Sequence, residues 1–219
     1  GCNFFPMSPS SPLFQQAKQI VLGQTVPLEE FQRLATYIHE QWQVKLISGE
    51  VYEYVQLSSP MRLRLIFPTA ADLTPLPVLW SDQVAQIGQP FLQILEETGI
   101  NRYQVWDLSD LRVDYFLFDE LAFQECINQV AISLVQQEFT EEGVWQIQRF
   151  WKTFTVFYHT DKQVASPTST GINEQIKERL RALACEQDPF DTLQERTINV
   201  RFDSKTNYEK SGGGLNYYR

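Results

Sequence analysis

The residues best suited to catalysis lie near the end of the chain, where Asp203-Ser204-Lys205 follows an alternating apolar segment and Asp188 and Asp191 precede it. Two carboxylates can hold a divalent cation such as Mg²⁺, and a neighbouring lysine can position or activate the attacking water. Because alternate residues of a strand share a face, we expect Asp203 and Lys205 to face the same cleft. Asp188, Asp191, Asp203 and Lys205 are therefore the predicted catalytic residues of a divalent-metal-dependent site.

This set resembles the motif of the PD-(D/E)xK nuclease superfamily, although only over the stretch 188–205. The resemblance implies metal-dependent cleavage of nucleic acid at that site. It departs from the superfamily because Pro189 follows Asp188 and no strand is indicated for the upstream carboxylates. The net charge of −9 also repels polyphosphate and disfavours nucleic acid as a partner. A divalent-metal-dependent nuclease with an Asp-x-Lys strand is accordingly one of three function hypotheses.

Aromatic side chains concentrate in the segment 145–158 and are the predicted binding residues. They are Trp145, Trp151, Phe157 and Tyr158. If this segment forms strands, successive side chains point to opposite faces, which places Trp145, Trp151 or Phe157 on the outer face of a sheet. Such an outer aromatic face requires a helix, a ligand or a partner to cover it.

Motifs of other enzyme classes are missing from the sequence. Its histidines are His39 and His159, which excludes a multi-histidine zinc site and leaves few bases to activate a nucleophile. No G-x-S-x-G, P-loop or G-x-G-x-x-G segment is present. The sequence therefore predicts no cofactor and no resident metal, and it favours a protein that is not an enzyme.

Apolar residues recur at helical spacing in several segments and predict about five helices. These cover residues 12–22, 28–42, 81–99, 119–138 and 172–183. Gly88 and Pro90 fall inside the third helix and are expected to kink or split it. The fourth helix is expected to bury a stripe made of Phe123, Ile127, Val130 and Leu134.

Period-two alternation predicts strands between these helices. The segments are 51–56 paired with 63–65, 103–106 paired with 111–117, two strands in 144–159, one strand at 198–202, and a terminal strand after the triple glycine 212–214. Strands and helices do not alternate strictly, which argues against a parallel sheet. The predicted class is α+β, with a mostly antiparallel sheet and about five helices packed on it.

The chain is expected to form a single domain over 13–219, with a hinge in the polar stretch 161–171. Residues 1–12 are interpreted as an N-terminal tether or an expression-tag remnant. No apolar run reaches the roughly 18 residues that a transmembrane helix needs. Three scattered cysteines favour a reducing compartment, taken as the cytoplasm, with a lipoprotein anchored through Cys2 as the alternative.

These observations lead to one function hypothesis and two alternatives. The first is a non-catalytic interaction or assembly protein that meets a protein partner through an aromatic-rich sheet surface. One alternative is a small-molecule-binding protein with an aromatic pocket of about 300 Å³ or more. The other is the nuclease described above.

Overall fold

The computed structural model describes residues 7–53, 61–103, 108–109, 111–150, 153–186, 188–190 and 199–218. The chain divides into two compact units, Gly1–Leu121 and Ala122–Arg219. Of the predicted tether, residues 7–12 are described, and among them Met7 is buried. The single domain over 13–219 stays a prediction.

The first unit contains most of the helices that the periodicity predicts. Its elements are α1 (Pro12–Val21), α2 (Glu29–Trp42), β1 (Ser48–Tyr52), β2 (Arg62–Phe67), α3 (Ala70–Leu73), α4 (Trp80–Gln83), a π-helical segment (Val84–Gly88), α5 (Gln89–Thr98), β3 (Arg112–Leu117) and α6 (Phe118–Cys126), which ends beyond the unit boundary. The π-helical segment lies where Gly88 and Pro90 were expected to disturb the helix. The α-helical ladder is interrupted there, in agreement with the prediction.

The second unit continues with α7 (Gln129–Glu138), β4 (Val144–Phe150), β5 (Thr153–Tyr158), α8 (Asp161–Val164), α9 (Pro167–Glu186), β6 (Asn199–Ser204), α10 (Lys205–Lys210) and a 3₁₀ helix (Gly214–Tyr218). A loop over 161–171 is wrong, because α8 and the start of α9 occupy that stretch, while the hinge expected there stays a prediction. Thr160 begins α8 with a reciprocal capping box to Gln163, and Pro167 is suited to the first turn of α9.

Both sheets of the described chain are three-stranded and mixed, which corrects the expectation of one mostly antiparallel sheet. β2 is the central strand of the first sheet, with β1 antiparallel and β3 parallel to it. β5 has the same place in the second sheet, with β4 antiparallel and β6 parallel. Helices connect β2 to β3 and β5 to β6, and such crossovers permit a parallel return. The broad class, α+β, is confirmed.

The two units share one order of elements, although no repeat is visible in the sequence. In each, an antiparallel strand pair is followed by a four-residue helix with a capping box, begun by Thr69 in the first unit and by Thr160 in the second. Further helical segments in the first unit, and α9 in the second, then lead to the parallel strand, and that strand runs directly into another helix. The repetition thus lies in topology and capping, not in recurring residues.

Each sheet packs one face against a pair of helices and receives a shorter segment on the other. In the first unit α2 and α5 carry the core, where Phe31 stacks on Phe91 at 5.2 Å between ring centroids. In the second unit α7 and α9 have this role. On the opposite faces, α1 contacts β1 and β2, while α10 contacts β6.

Charged side chains cross the strands of the first sheet on the face that includes Arg62 and Arg64 of β2. Arg62 forms an ion pair with Asp114 at 2.9 Å, and Arg64 forms one with Glu50 at 3.4 Å. Burial raises the pKa of the Glu50 carboxyl even though Arg64 acts to lower it. The pairs therefore hold charge on a partly dehydrated sheet surface.

The helix expected over 119–138 is two helices, α6 and α7. Asn128 caps α7 by accepting a hydrogen bond from the Ala131 amide at 2.9 Å, which ends the continuous helical register. Val130 and Leu134, assigned to the buried stripe, are instead 71% and 53% exposed. The break turns a different stripe, which includes Val135, into the core.

Candidate interaction surface

Two of the predicted binding residues, Trp145 and Phe157, lie together on the face of the second sheet that α7 and α9 do not cover. Their ring centroids are 6.1 Å apart and the rings meet edge to face. Trp145 lies at a register shift between Val144 and Gln146, and this bulge re-aims its side chain. Phe157 is fully buried, whereas Trp145 remains partly exposed.

The cover over Phe157 comes from the chain itself, from the C-terminal segment 205–218. The Tyr208 ring of α10 lies 5.0 Å from that of Phe157, and the Tyr217 ring of the 3₁₀ helix lies 5.2 Å from it. Tyr218 stacks on Phe150 of β4 at 4.5 Å with only 10° between the ring planes. The outer aromatic face of the sheet is thus layered with further aromatic side chains.

The triple glycine makes this layering possible. Gly212, Gly213 and Gly214 all have positive φ, at 87°, 63° and 55°, a region that costs other residues free energy. The turn brings the Gly214 amide to the Tyr208 hydroxyl, to which it donates at 2.7 Å. The strand expected after the glycines is therefore wrong, and a 3₁₀ helix replaces it.

Asp203 ties this C-terminal segment to the end of β6. Its carboxylate accepts hydrogen bonds from the Tyr217 hydroxyl at 2.5 Å, from the Asn207 side chain at 2.9 Å and from the Ser204 amide at 2.7 Å. Burial acts to raise the pKa of Asp203, but these donors outweigh it and the pKa is lowered. Burial, together with the hydrogen bond to Asp203, raises the pKa of Tyr217 above its usual range.

The other described residues of the predicted catalytic set, Lys205 and Asp188, contact different side chains and amides from those that contact Asp203. Lys205 begins α10 instead of continuing β6, so its expected place on one strand face with Asp203 is wrong. Its ammonium lies 5.2 Å from the centroid of the Trp145 ring and 3.6 Å from Glu209. Asp188 accepts a hydrogen bond from the Phe190 amide at 3.0 Å. Asp191 lies outside the described residues, and the nuclease stays a prediction.

The remaining predicted binding residues do not join this surface. Tyr158 points to the opposite face of the sheet, where it is buried in the core and donates a hydrogen bond to Asn173 at 2.6 Å. Burial and the nearby Glu142 carboxylate raise the pKa of the Tyr158 hydroxyl. Trp151 lies outside the described residues.

Tyr208, Tyr217 and Tyr218 belong to this surface, and sequence reasoning did not assign them to it. The three tyrosines are partly buried, while Leu215, in the same 3₁₀ helix as Tyr217 and Tyr218, is 68% exposed. Ser204 was the residue that could have indicated this arrangement. It is a good N-cap and predicts that a helix, not more strand, follows β6.

No protein-family model matches the chain, and no curated protein is similar to it. Across the described residues, no helix is long and apolar enough to cross a membrane. The same part of the chain contains no group of three or more His, Cys, Asp or Glu side chains placed to hold a metal ion.

Proposed function

We propose that this protein is a non-catalytic interaction protein and that a partner protein binds the aromatic surface of its second unit. This surface consists of Trp145, Phe150, Tyr208, Tyr217 and Tyr218, and the exposed Leu215 lies in the same 3₁₀ helix as the last two. The proposal rests on one observation: these aromatic rings touch one another in a continuous layer, and every one of them keeps part of its side chain in water.

Such a layer has the composition of a binding hot spot. Tyr and Trp are enriched among residues that dominate binding energy, because they present large, rigid apolar area together with a polar group. Their positions are fixed by neighbouring contacts, such as the hydrogen bond from the Tyr218 hydroxyl to Gln148 at 3.1 Å. A fixed surface loses less side-chain entropy when a partner binds.

The polar groups near this surface support binding more than catalysis. Asp203, a partly buried carboxylate bonded to Tyr217, accepts hydrogen bonds from its own chain and has a lowered pKa. A general base that works near neutral pH needs the opposite shift. The small-molecule alternative has less support, since the chain's own C-terminal segment occupies the space over Phe157.

The experiment compares what copurifies with three forms of the protein from its source cells, by quantitative mass spectrometry. The first is the native sequence, the second carries Leu215→Ser with Tyr218→Ser, and the third carries Leu134→Ser, an exposed leucine on α7. We expect at least one protein to be depleted about tenfold or more by the double change and retained by the control, since a hot-spot residue contributes about 2 kcal/mol or more and about 1.4 kcal/mol is tenfold. Identical copurifying sets from all three forms would contradict the proposal.

A further inference from the structure

A groove on the surface of the first unit runs between α2 and α5. It has a volume of about 380 Å³, and Tyr37, Pro90 and Ile94 supply its apolar lining. The Tyr37 hydroxyl donates to the Gln86 carbonyl at 2.8 Å, and the edge of the Tyr37 ring meets Trp42. The floor of the groove is therefore apolar and fixed in place.

Acidic side chains border the groove on both helices. Glu40 of α2 and Glu97 of α5 line it, and Glu97 also lines a neighbouring recess of about 570 Å³ that includes Glu96. The one basic residue of the lining, Arg33, pairs with Glu29 at 3.3 Å. The sequence of α5 contains no Lys or Arg. The border thus carries excess negative charge.

We propose that this α2–α5 groove binds a basic amphipathic helix of a partner protein. Helices dock into such grooves by placing apolar side chains at i, i+3, i+4 and i+7 into the floor while polar side chains meet the rims. Lys and Arg on those flanks would meet Glu40, Glu96 and Glu97 and gain electrostatic complementarity.

The charge of the groove selects this occupant over other extended ones. An anionic membrane surface and a nucleic acid are both repelled by the carboxylates, and the whole chain carries a net charge of −9. The lining runs from Arg33 to Glu40 of α2, about 10 Å along the helix axis, so about two turns of a peptide helix would lie in the groove. This site is separate from the aromatic surface and does not depend on it.

The binding test uses a fluorescein-labelled peptide of 14 residues, the length of α2, made of Leu and Lys in amphipathic helical order. A second peptide has the same composition in a scrambled order, and a third has Glu in place of Lys. Fluorescence anisotropy with the purified chain, at about 0.15 M ionic strength, gives each Kd. We expect the ordered Leu/Lys peptide to bind at least about tenfold more tightly than the other two, a difference of about 1.4 kcal/mol.

Paired charge reversals separate the groove from general attraction to an acidic protein. Glu40→Lys with Glu97→Lys alters the rims, while Glu141→Lys with Glu178→Lys makes the same change of net charge at exposed positions of the second unit. We expect the first pair to weaken binding about tenfold or more and the second pair less than about twofold.

Ile94→Ser removes an apolar group from the floor of the groove without changing the charge, and it too should weaken binding. Circular dichroism and thermal melts verify that each variant is folded. Equal losses from both charge-reversal pairs, or equal affinity for the ordered and scrambled peptides, would overturn the proposal. Failure of the aromatic-surface variants to lose a partner would leave this result unaffected.

Discussion

Replacing Phe157 by Ala tests whether the C-terminal segment 205–218 covers the outer face of the second sheet. Phe157 lies on the sheet face opposite the core that α7 and α9 cover. It is nevertheless 0% exposed because Trp145, Tyr208 and Tyr217 surround it. Loss of a fully buried Phe side chain costs about 3–5 kcal/mol, and each lost aromatic contact accounts for about 0.5–1.5 kcal/mol beyond burial. We expect Phe157→Ala to lower the free energy of unfolding by about 4 kcal/mol.

The matched control is Phe154→Ala on the core face of the same strand. Phe154 is also 0% exposed, so its loss should cost a similar amount. Urea unfolding followed by tryptophan fluorescence measures both variants, and linear extrapolation gives each free energy. Trypsin should cleave after Lys205 and Lys210 faster in Phe157→Ala than in Phe154→Ala, because only the first variant loses a contact with the C-terminal segment.

A small effect at one position would refute this reasoning. If Phe157→Ala costs less than about 1 kcal/mol, the value typical of a surface change, while Phe154→Ala costs 3–5 kcal/mol, the C-terminal segment does not cover the sheet in solution. A double-mutant cycle of Phe157→Ala with Tyr217→Ala then has no coupling energy. A coupling of about 0.5 kcal/mol or more would instead support the contact.

Three further changes test other parts of the fold. Gly49→Ala should destabilise the first unit by about 1–3 kcal/mol in urea unfolding, because a Cβ there would lie 2.5 Å from the Phe31 ring; an unchanged midpoint would contradict this. Burial raises the pKa of Tyr115 to about 12 from its usual value of 10.0. The stability that the protonated hydroxyl contributes is therefore complete below pH 10.0 and is lost as the pH rises from 10.0 to about 12. When the free energy of unfolding is measured across that pH window, it should fall less in Tyr115→Phe than in the native chain. Asn128→Ala should cost about 1 kcal/mol in the same assay by removing the cap of α7, and Asn128→Ser should restore most of it.

The local sequence pattern was sufficient to predict a helix where one apolar stripe or one helix-breaking pair determines its extent. The apolar spacing in 28–42 predicted α2 almost to its ends, and Gly88 with Pro90 marked the irregular stretch before α5. The register of α7 was missed because apolar residues on both sides of Asn128 fit one continuous stripe. A cap residue inside a periodic segment was the better guide there.

Strand direction could not be predicted in the same way. Alternation identifies β3 and β6 as strands, but it contains no information on which neighbour they pair with. β3 was assigned to a partner in 103–106, of which 104–106 lie outside the described residues, and its parallel pairing with β2 was not predicted. Such pairing depends on how the intervening helices pack, which is a property of the whole unit.

The candidate site was predicted in part. Trp145 and Phe157 were placed on an outer sheet face that requires a cover, and they lie there. That Tyr208 and Tyr217 provide the cover could not be deduced, since the contact joins segments that are distant in sequence. Lys205 was misplaced because alternation was extended through Ser204, a residue whose side chain begins a helix.

Two sheets with the same strand order in one chain create a risk of exchange during folding, in which β2 enters the place of β5. Arg64 would then occupy the position of Thr155, which is fully buried between Gln148 and Arg201. It would lose Glu50 and face a like charge, and a buried charge without its partner costs about 3–5 kcal/mol. The Arg64–Glu50 ion pair of the first sheet therefore penalises an exchange in which β2 leaves β1 and enters the second sheet alone.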